Sequence, residues 1–260
     1  MTQPFPTLFV SHGSPMLAVE PGATGEFWKT LGRDLPRPHS VLAVSAHWTT
    51  REPTVNAAPK NATIHDFYGF PEALYRIHYE APGAPALADR VVSLLEAAEI
   101  PVRVDPARGL DHGAWVPLQN MYPDADMPVA QLSVQPQRDA RWHQQLGAAL
   151  RPLRDEGVLV LATGGAVHNL REMARAGGPT PAWAKNFDDW LAATLAAGKE
   201  SEFLDWETAA PEAKRAQPTP EHFLPIFVAY GAAGEHPKAK RINQGFTLGS
   251  MSMAAYEFAA

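Results

Sequence analysis

Five short motifs in this chain each carry a histidine, and most stand where a strand should stop. They are S-H-G-S-P at 11–15, S-A-H-W at 45–48, D-H-G-A-W at 111–115, V-H-N-L at 167–170 and E-H-F-L-P at 221–225. Imidazole both ligates divalent metals and moves protons near neutral pH. The apolar runs 7–10, 41–44 and 158–162 lead towards His12, His47 and His168. In an open α/β sheet the parallel strands deliver their C-terminal ends to one crevice, where ligands bind. Histidines repeated at that place point to one metal-bearing pocket.

An isolated histidine is ordinarily a packing or surface residue. His39, His143 and His236 lie in polar or helical surroundings and read that way. His78 alternates within a stretch of strand type and reads as half-buried packing, and His65 as a loop residue among Gly and aromatic neighbours. His12 and His47 differ, because each follows a buried-strand pattern. A buried imidazole must satisfy both ring nitrogens. A metal on one and a second partner on the other does so, and the Ser11 and Ser45 hydroxyls are candidate partners. His168 follows Gly164-Gly165 at an expected strand-to-helix turn. A helix N-terminus keeps a histidine neutral, able to ligate or to accept a proton. His222 stands beside Glu221 after a proline-rich loop, and His112 stands beside Asp111 as a possible oriented pair.

No rival constellation competes. There is no G-x-S-x-G elbow, P-loop or H-E-x-x-H, and Gly164-Gly165 is too little for a dinucleotide fingerprint. Ser14 is a poor nucleophile candidate, since Pro15 behind it removes a backbone donor. The chain has no cysteine, which excludes disulfides, Fe–S clusters and thiolate zinc sites. Any metal is therefore held by imidazole, carboxylate or water, which suits iron, zinc, manganese or nickel.

The elements that must position these groups follow from pattern. With 260 residues, 45% hydrophobic and 19% charged, the chain can build a sizeable core, and no linker divides it, so residues 1–260 read as a single domain. Buried strands are expected at 7–10, 40–46, 129–134 and 158–163, and weaker ones at 53–56, 75–79 and 101–104. Helical spacing marks 25–35, 84–98, 139–153, 183–196 and 221–230, with a short helix at 208–215 and a strand pair within 245–258. The alternation predicts an α/β fold: a central mixed, largely parallel sheet with helices on both faces. The 25 prolines, nearly twice the usual ~5%, fall between these segments and predict stiff loops around one rim. Net charge is −6 and no Lys/Arg cluster appears, which argues against a nucleic-acid partner. No apolar run approaches a membrane span, and residues 1–6 lack a signal-peptide pattern, so the expectation is a soluble cytoplasmic protein.

In this order, S-H-G-S-P-M, S-A-H-W, I-H-D-F-Y-G-F-P, D-H-G-A-W, V-H-N-L and E-H-F-L-P resemble the class III extradiol ring-cleavage dioxygenases, in the branch of DOPA-4,5-dioxygenase-like proteins. The resemblance covers almost the whole chain. It implies metal ligation by His12, His47 and His222, an acid/base role for His168, and a substrate- or oxygen-binding role for His112. It implies that His168 is close enough to be a fourth contact when zinc is bound, and that Asp66 and Phe67 line the pocket. Better-known members complete a two-histidine, one-carboxylate face with Glu; here His222 holds that position with Glu221 beside it, and both remain candidates.

The implied activity is opening of a DOPA-like catechol by dioxygen, beside and not between the hydroxyls, to a muconic semialdehyde. Fe(II) is the expected metal, with Zn(II) competing for the same site. The partners are then a small-molecule catechol and dioxygen, with a homodimer as the default assembly. Two other readings stay open: a zinc hydrolase with His168 shuttling protons, and a non-catalytic metal-binding relative on the same fold.

Overall fold

The computed structural model describes residues 4–174 and 178–259. Its first half runs β1 (Thr7–Ser11), α1 (Gly22–Asp34), β2 (Ser40–Thr49), β3 (Thr54–Asn56), α2 (Glu72–Tyr75), α3 (Pro85–Ala97), β4 (Arg103–Asp105), α4 (His112–Met121) and β5 (Val129–Val134). The second half runs α5 (Ala140–Leu150), β6 (Val158–Gly164), α6 (Ala182–Ala196), α7 (Glu200–Leu204), α8 (Trp206–Ala209), α9 (Ala213–Ala216) and α10 (Leu224–Ala232). It closes with β7 (Lys238–Asn243), β8 (Phe246–Thr247), β9 (Met251–Ser252) and β10 (Ala255–Ala259).

Eight strands form one sheet in the order β4-β3-β5-β2-β6-β1-β10-β7, while β8 and β9 pair as a separate ribbon. The centre is parallel: β5 with β2, β2 with β6, and β6 with β1. The antiparallel pairs are β3 with β5, β1 with β10, and β10 with β7. Strands β1, β5 and β6 are buried along their whole length, as continuous apolar runs covered on both faces must be.

Alternate side chains leave those strands in opposite directions. Phe9, Leu42, Val44 and Ala162 pack beneath α3, α5, α6 and α10. Leu8, Val10, Val41, Ala43, Leu159 and Leu161 pack beneath α1 and α4, where Trp28 and Trp115 fill the space. Each large side chain buried this way contributes about 1.5–3 kcal/mol. Helices α5 and α10 cross at backbone contact. A Cβ on Gly147 would lie 2.1 Å from the Val228 carbonyl oxygen, and one on Gly231 would lie 2.0 Å from that of Gln144. No helix among the described residues is long and apolar enough to cross a membrane.

The structure departs from the sequence expectations in several places. Residues 75–79 are not a strand: α2 ends there and irregular chain follows, with His78 exposed. Their apolar alternation has another cause, because Leu74 and Tyr79 pack into the core around α4, where the Tyr79 hydroxyl donates to the Tyr122 carbonyl. Helix α4 and strand β7 were not anticipated. The expected helix at 208–215 divides into α8 and α9, and the expected closing strand pair becomes the β8–β9 ribbon plus β10, which joins the main sheet. No helix carries His168: after β6 the chain is irregular, makes a 3-10 turn at Leu170–Glu172 and, among the described residues, is next helical in α6.

Candidate metal centre

The three central strands β2, β6 and β1 point their C-terminal ends the same way. His12 follows β1 directly. His47 lies near the end of β2, where the register with β5 shifts between Val44 and Thr49. His222 arrives in the turn before α10 and is tied to the end of β6, its carbonyl accepting from the Gly165 amide at 2.8 Å. A Cβ on Gly164 would sit 2.0 Å from that carbonyl oxygen. The carbonyl of Gly164 accepts from the His12 amide at 3.0 Å. One glycine thus seats two of the histidines.

Their ring nitrogens converge. His47 Nε2 lies 3.0 Å from His12 Nε2 and 3.2 Å from His222 Nε2, and the three candidate ligand atoms lie within 4.8 Å of one another. The far nitrogens are oriented by carboxylates: His47 Nδ1 is 3.3 Å from Asp66 Oδ2, and His222 Nδ1 is 3.2 Å from Glu221 Oε1. A carboxylate partner fixes the proton on Nδ1 and leaves the Nε2 lone pair free. The two lone pairs of His47 and His222 then face each other at 3.2 Å, an arrangement that a divalent cation between them relieves. The His12 Nδ1 is buried without a hydrogen-bond partner.

Electrostatics favours neutral rings. Burial, and then the neighbouring histidines, hold the His12 and His47 pKa values well below the usual imidazole range. Burial also lowers His222, against the raising effect of Glu221. Burial pushes the Glu221 carboxyl up, but hydrogen bonds from His222 and Thr219 outweigh it and hold it at about 2. Glu221 therefore stands behind the cluster; the group that faces the other two nitrogens is His222 Nε2.

His168 occupies a different place. Its ring stacks on that of His222 at 3.5 Å between centroids and 6° between planes, and it does not join the three converging nitrogens. Burial, then His222, lowers its pKa to about 3. The sequence expectation credited a helix N-terminus, and no helix starts there.

His112 is the first residue of α4, and its ring centroid lies 4.0 Å from that of His47. Its partner is Asp66, not the adjacent Asp111. Asp66 Oδ1 accepts from the His112 amide at 2.9 Å and lies 3.0 Å from its Nδ1. That Nδ1 is not aimed at the carboxylate well enough for a hydrogen bond. Asp66 thus spans both His47 and His112, and burial, which would raise its carboxyl, is outweighed by the His112 contacts. Asp111 instead caps α4, accepting from Ala114, Ser45 Oγ at 2.6 Å, Arg108 at 3.2 Å and Gln131.

The two serines also bind elsewhere than expected. Ser45 Oγ donates to Asp111 and accepts from the His47 amide at 3.2 Å. Ser11 Oγ donates to the Ala254 carbonyl and accepts from the Ala166 amide. Both hold backbone, not imidazole. Gly113 lets α4 approach: a Cβ there would lie 2.6 Å from Ser45 Oγ and 3.2 Å from His12 Nδ1.

Above the five histidines lies a cavity of about 520 Å³. Asp66 and Phe67 line it, as do Met16, Phe70, Leu170, Met173, Leu248 and Met251. None of these last six was expected at the pocket from sequence: Leu248 and Met251 stand in the alternation expected of a closing strand pair, and the others come from loops and short turns.

A mixed α/β sheet that gathers histidines under one cavity defines the class of α/β proteins whose site could hold a metal ion, and comparison with known proteins places it. Residues 6–259 match the family of the catalytic LigB subunit of aromatic ring-opening dioxygenase. The chain belongs to this family, the class III extradiol dioxygenases, and is an extradiol ring-cleavage dioxygenase. It is 45% identical to the 4,5-DOPA dioxygenase extradiol of Beta vulgaris, over 97% of this chain and 96% of the relative. It is 44% identical to the protein of that name from Escherichia coli K12, over 97% and 94%. The crystal structure of an uncharacterized protein from Escherichia coli K12 superimposes with a TM-score of 0.79 at 37% identity, covering 97% of this chain and 99% of that one.

Proposed function

We propose that the chain opens the ring of a catechol beside its two hydroxyls and delivers both atoms of dioxygen into a muconic semialdehyde, as the relatives named for DOPA suggest. The observation that carries this reading is the convergence of the His12, His47 and His222 Nε2 atoms under the cavity. Three neutral imidazoles, those of His12, His47 and His222, would hold Fe(II) at the floor of the cavity. When bound, Fe(II) supplies the redox partner for dioxygen and lowers the phenol pKa.

The protein's own groups do the rest. Asp66 and Glu221 hold the His47 and His222 rings with Nε2 directed inward. His168, kept neutral by burial, accepts the second phenolic proton and returns it as the O–O bond breaks. The stack on His222 keeps it at the edge of the ring site. His112, its amide held by Asp66 and its ring beside His47, faces the same space and contacts the oxygen substituents there. The apolar wall excludes water from the opened ring.

Anaerobic reconstitution with Fe(II), then addition of oxygen and a catechol panel, tests this reading. The expected result is the yellow semialdehyde carrying two ¹⁸O atoms from ¹⁸O₂. The same donor set also suits Zn(II). Ester or amide hydrolysis by zinc-loaded protein without oxygen would move the assignment to a hydrolase.

A further inference from the structure

His168 stands on irregular chain, so no helix or strand ladder fixes its backbone. Buried N–H and C=O groups must still find partners. The Gly165 amide donates to the His222 carbonyl at 2.8 Å, the Ala166 amide to Ser11 Oγ at 3.1 Å, and the His168 amide to the Ala216 carbonyl at 2.9 Å. The carbonyls of Gly165 and Ala166 both accept from one side chain: Gln217 Nε2 donates to them at 2.8 and 3.1 Å. Just after His168, Asn169 Nδ2 donates to the Arg215 carbonyl at 2.7 Å. Residues 215–217 thus grip the chain on both sides of His168.

The same stretch then runs through Pro218 and Pro220 to His222. One run of chain therefore carries the His222 ring and holds the backbone of the His168 ring stacked on it. Gln217 is buried at the end of α9, with its Oε1 unpartnered among the described residues. A buried polar atom without a partner costs stability. Here the cost is offset by two hydrogens on one nitrogen, each placed on a carbonyl of the turn. Movement of that turn passes to the imidazole, because a Cβ on Gly165 would lie only 3.1 Å from His168 Cβ and 3.3 Å from its Cδ2.

We infer that Gln217 is a positioning residue for His168: its side-chain amide fixes the Gly165–Ala166 turn against the stretch that ends in His222, and so sets where the His168 ring stands over the floor of the cavity. The acid/base part of this assignment rests on the ring-cleavage reading above. Misplacing such a group by roughly 1 Å can cost about 10²-fold in rate.

Gln217→Met keeps the shape of the side chain and removes both donors. In Fe(II)-loaded enzyme, single-turnover cleavage of catechol should slow about 10–100-fold, with metal content and catechol affinity within about twofold of wild type. In a His168→Ala background the same substitution should add less than about twofold, because the group it positions is gone. Gln217→Asn, whose amide stops one methylene short, should fall between, and it carries the same measurements if the Met variant does not fold. A further readout needs neither metal nor substrate. In metal-free protein the His168 ring signals in the NMR spectrum, identified by their loss in His168→Ala, carry the ring-current shift of the stack and should lose it in Gln217→Met. Metal lost in step with activity overturns the inference, as does equal slowing in the His168→Ala background or an unmoved His168 signal. If wild-type enzyme cleaves no catechol while the signal moves as expected, the ring-cleavage reading fails and the positioning of His168 stands.

Discussion

The floor and the rim of the cavity are built from opposite materials. The floor comes from the ends of β1 and β2, which carry His12 and His47, and from the turn before α10, which carries His222 and is tied to the end of β6 at Gly164 and Gly165. The rim comes from two 3-10 turns, an aromatic loop and the short β8–β9 ribbon. Geometry that chemistry needs within fractions of an ångström sits on the sheet, and geometry that selects among substrates sits on loops. Changes in the floor should therefore remove metal or turnover, and changes in the rim should alter only which catechol is preferred.

The largest effect should come from His12→Ala, with bound metal falling below a tenth of one equivalent by elemental analysis and turnover lost. His168→Ala should keep its metal while kcat falls about 10²–10⁴-fold, the usual worth of a positioned acid/base. Equal metal loss in both variants would move His168 into the ligand set. Asp66→Asn should cost about 10–100-fold in metal affinity or activity, as carboxylates behind ligating histidines do. A metal titration with Asp66→Glu alongside measures it, and partial rescue by Glu is expected. Gly113→Ala pushes a methyl group against Ser45 Oγ and the His12 ring. Roughly tenfold weaker metal binding should follow, with the fold retained by circular dichroism. The smallest effect belongs to the rim. Met251→Ala should leave metal content and kcat for unsubstituted catechol within about twofold and raise KM severalfold for a catechol whose ring substituent reaches the rim. A rim variant that lost metal would erase the distinction between the two regions.

The two regions also differ in how they can be read from sequence. Strands β1, β2, β5 and β6 announce themselves as apolar runs, and histidines at their ends are visible because strand and motif coincide. Helix α4 was hidden. It is almost wholly buried, so it lacks a polar face and a 3.6-residue rhythm, and Pro117 inside it argues against a helix. Its start was marked only by the cap residue Asp111, which sequence reading assigned to His112 as a partner. Strand β7, Lys238–Asn243, is a charged edge strand with no buried face to reveal it. Asp66 reaches His112 across 46 residues of chain and His47 besides, a contact that no local pattern encodes. The rim residues share this difficulty, since their wall is assembled from four separate segments, and the alternation at Leu248 and Met251 announces a strand and not a pocket.

The order in which the chain supplies the three nitrogens has its own consequence. Two come from the first fifth of the polypeptide, and the third waits until residue 222, clamped there by the amide of Gly165. Until residue 222 is made, the chain lacks one of the three imidazoles that converge under the cavity. On the ligand set proposed above, this three-imidazole site is complete only when the turn before α10 has docked on the end of β6.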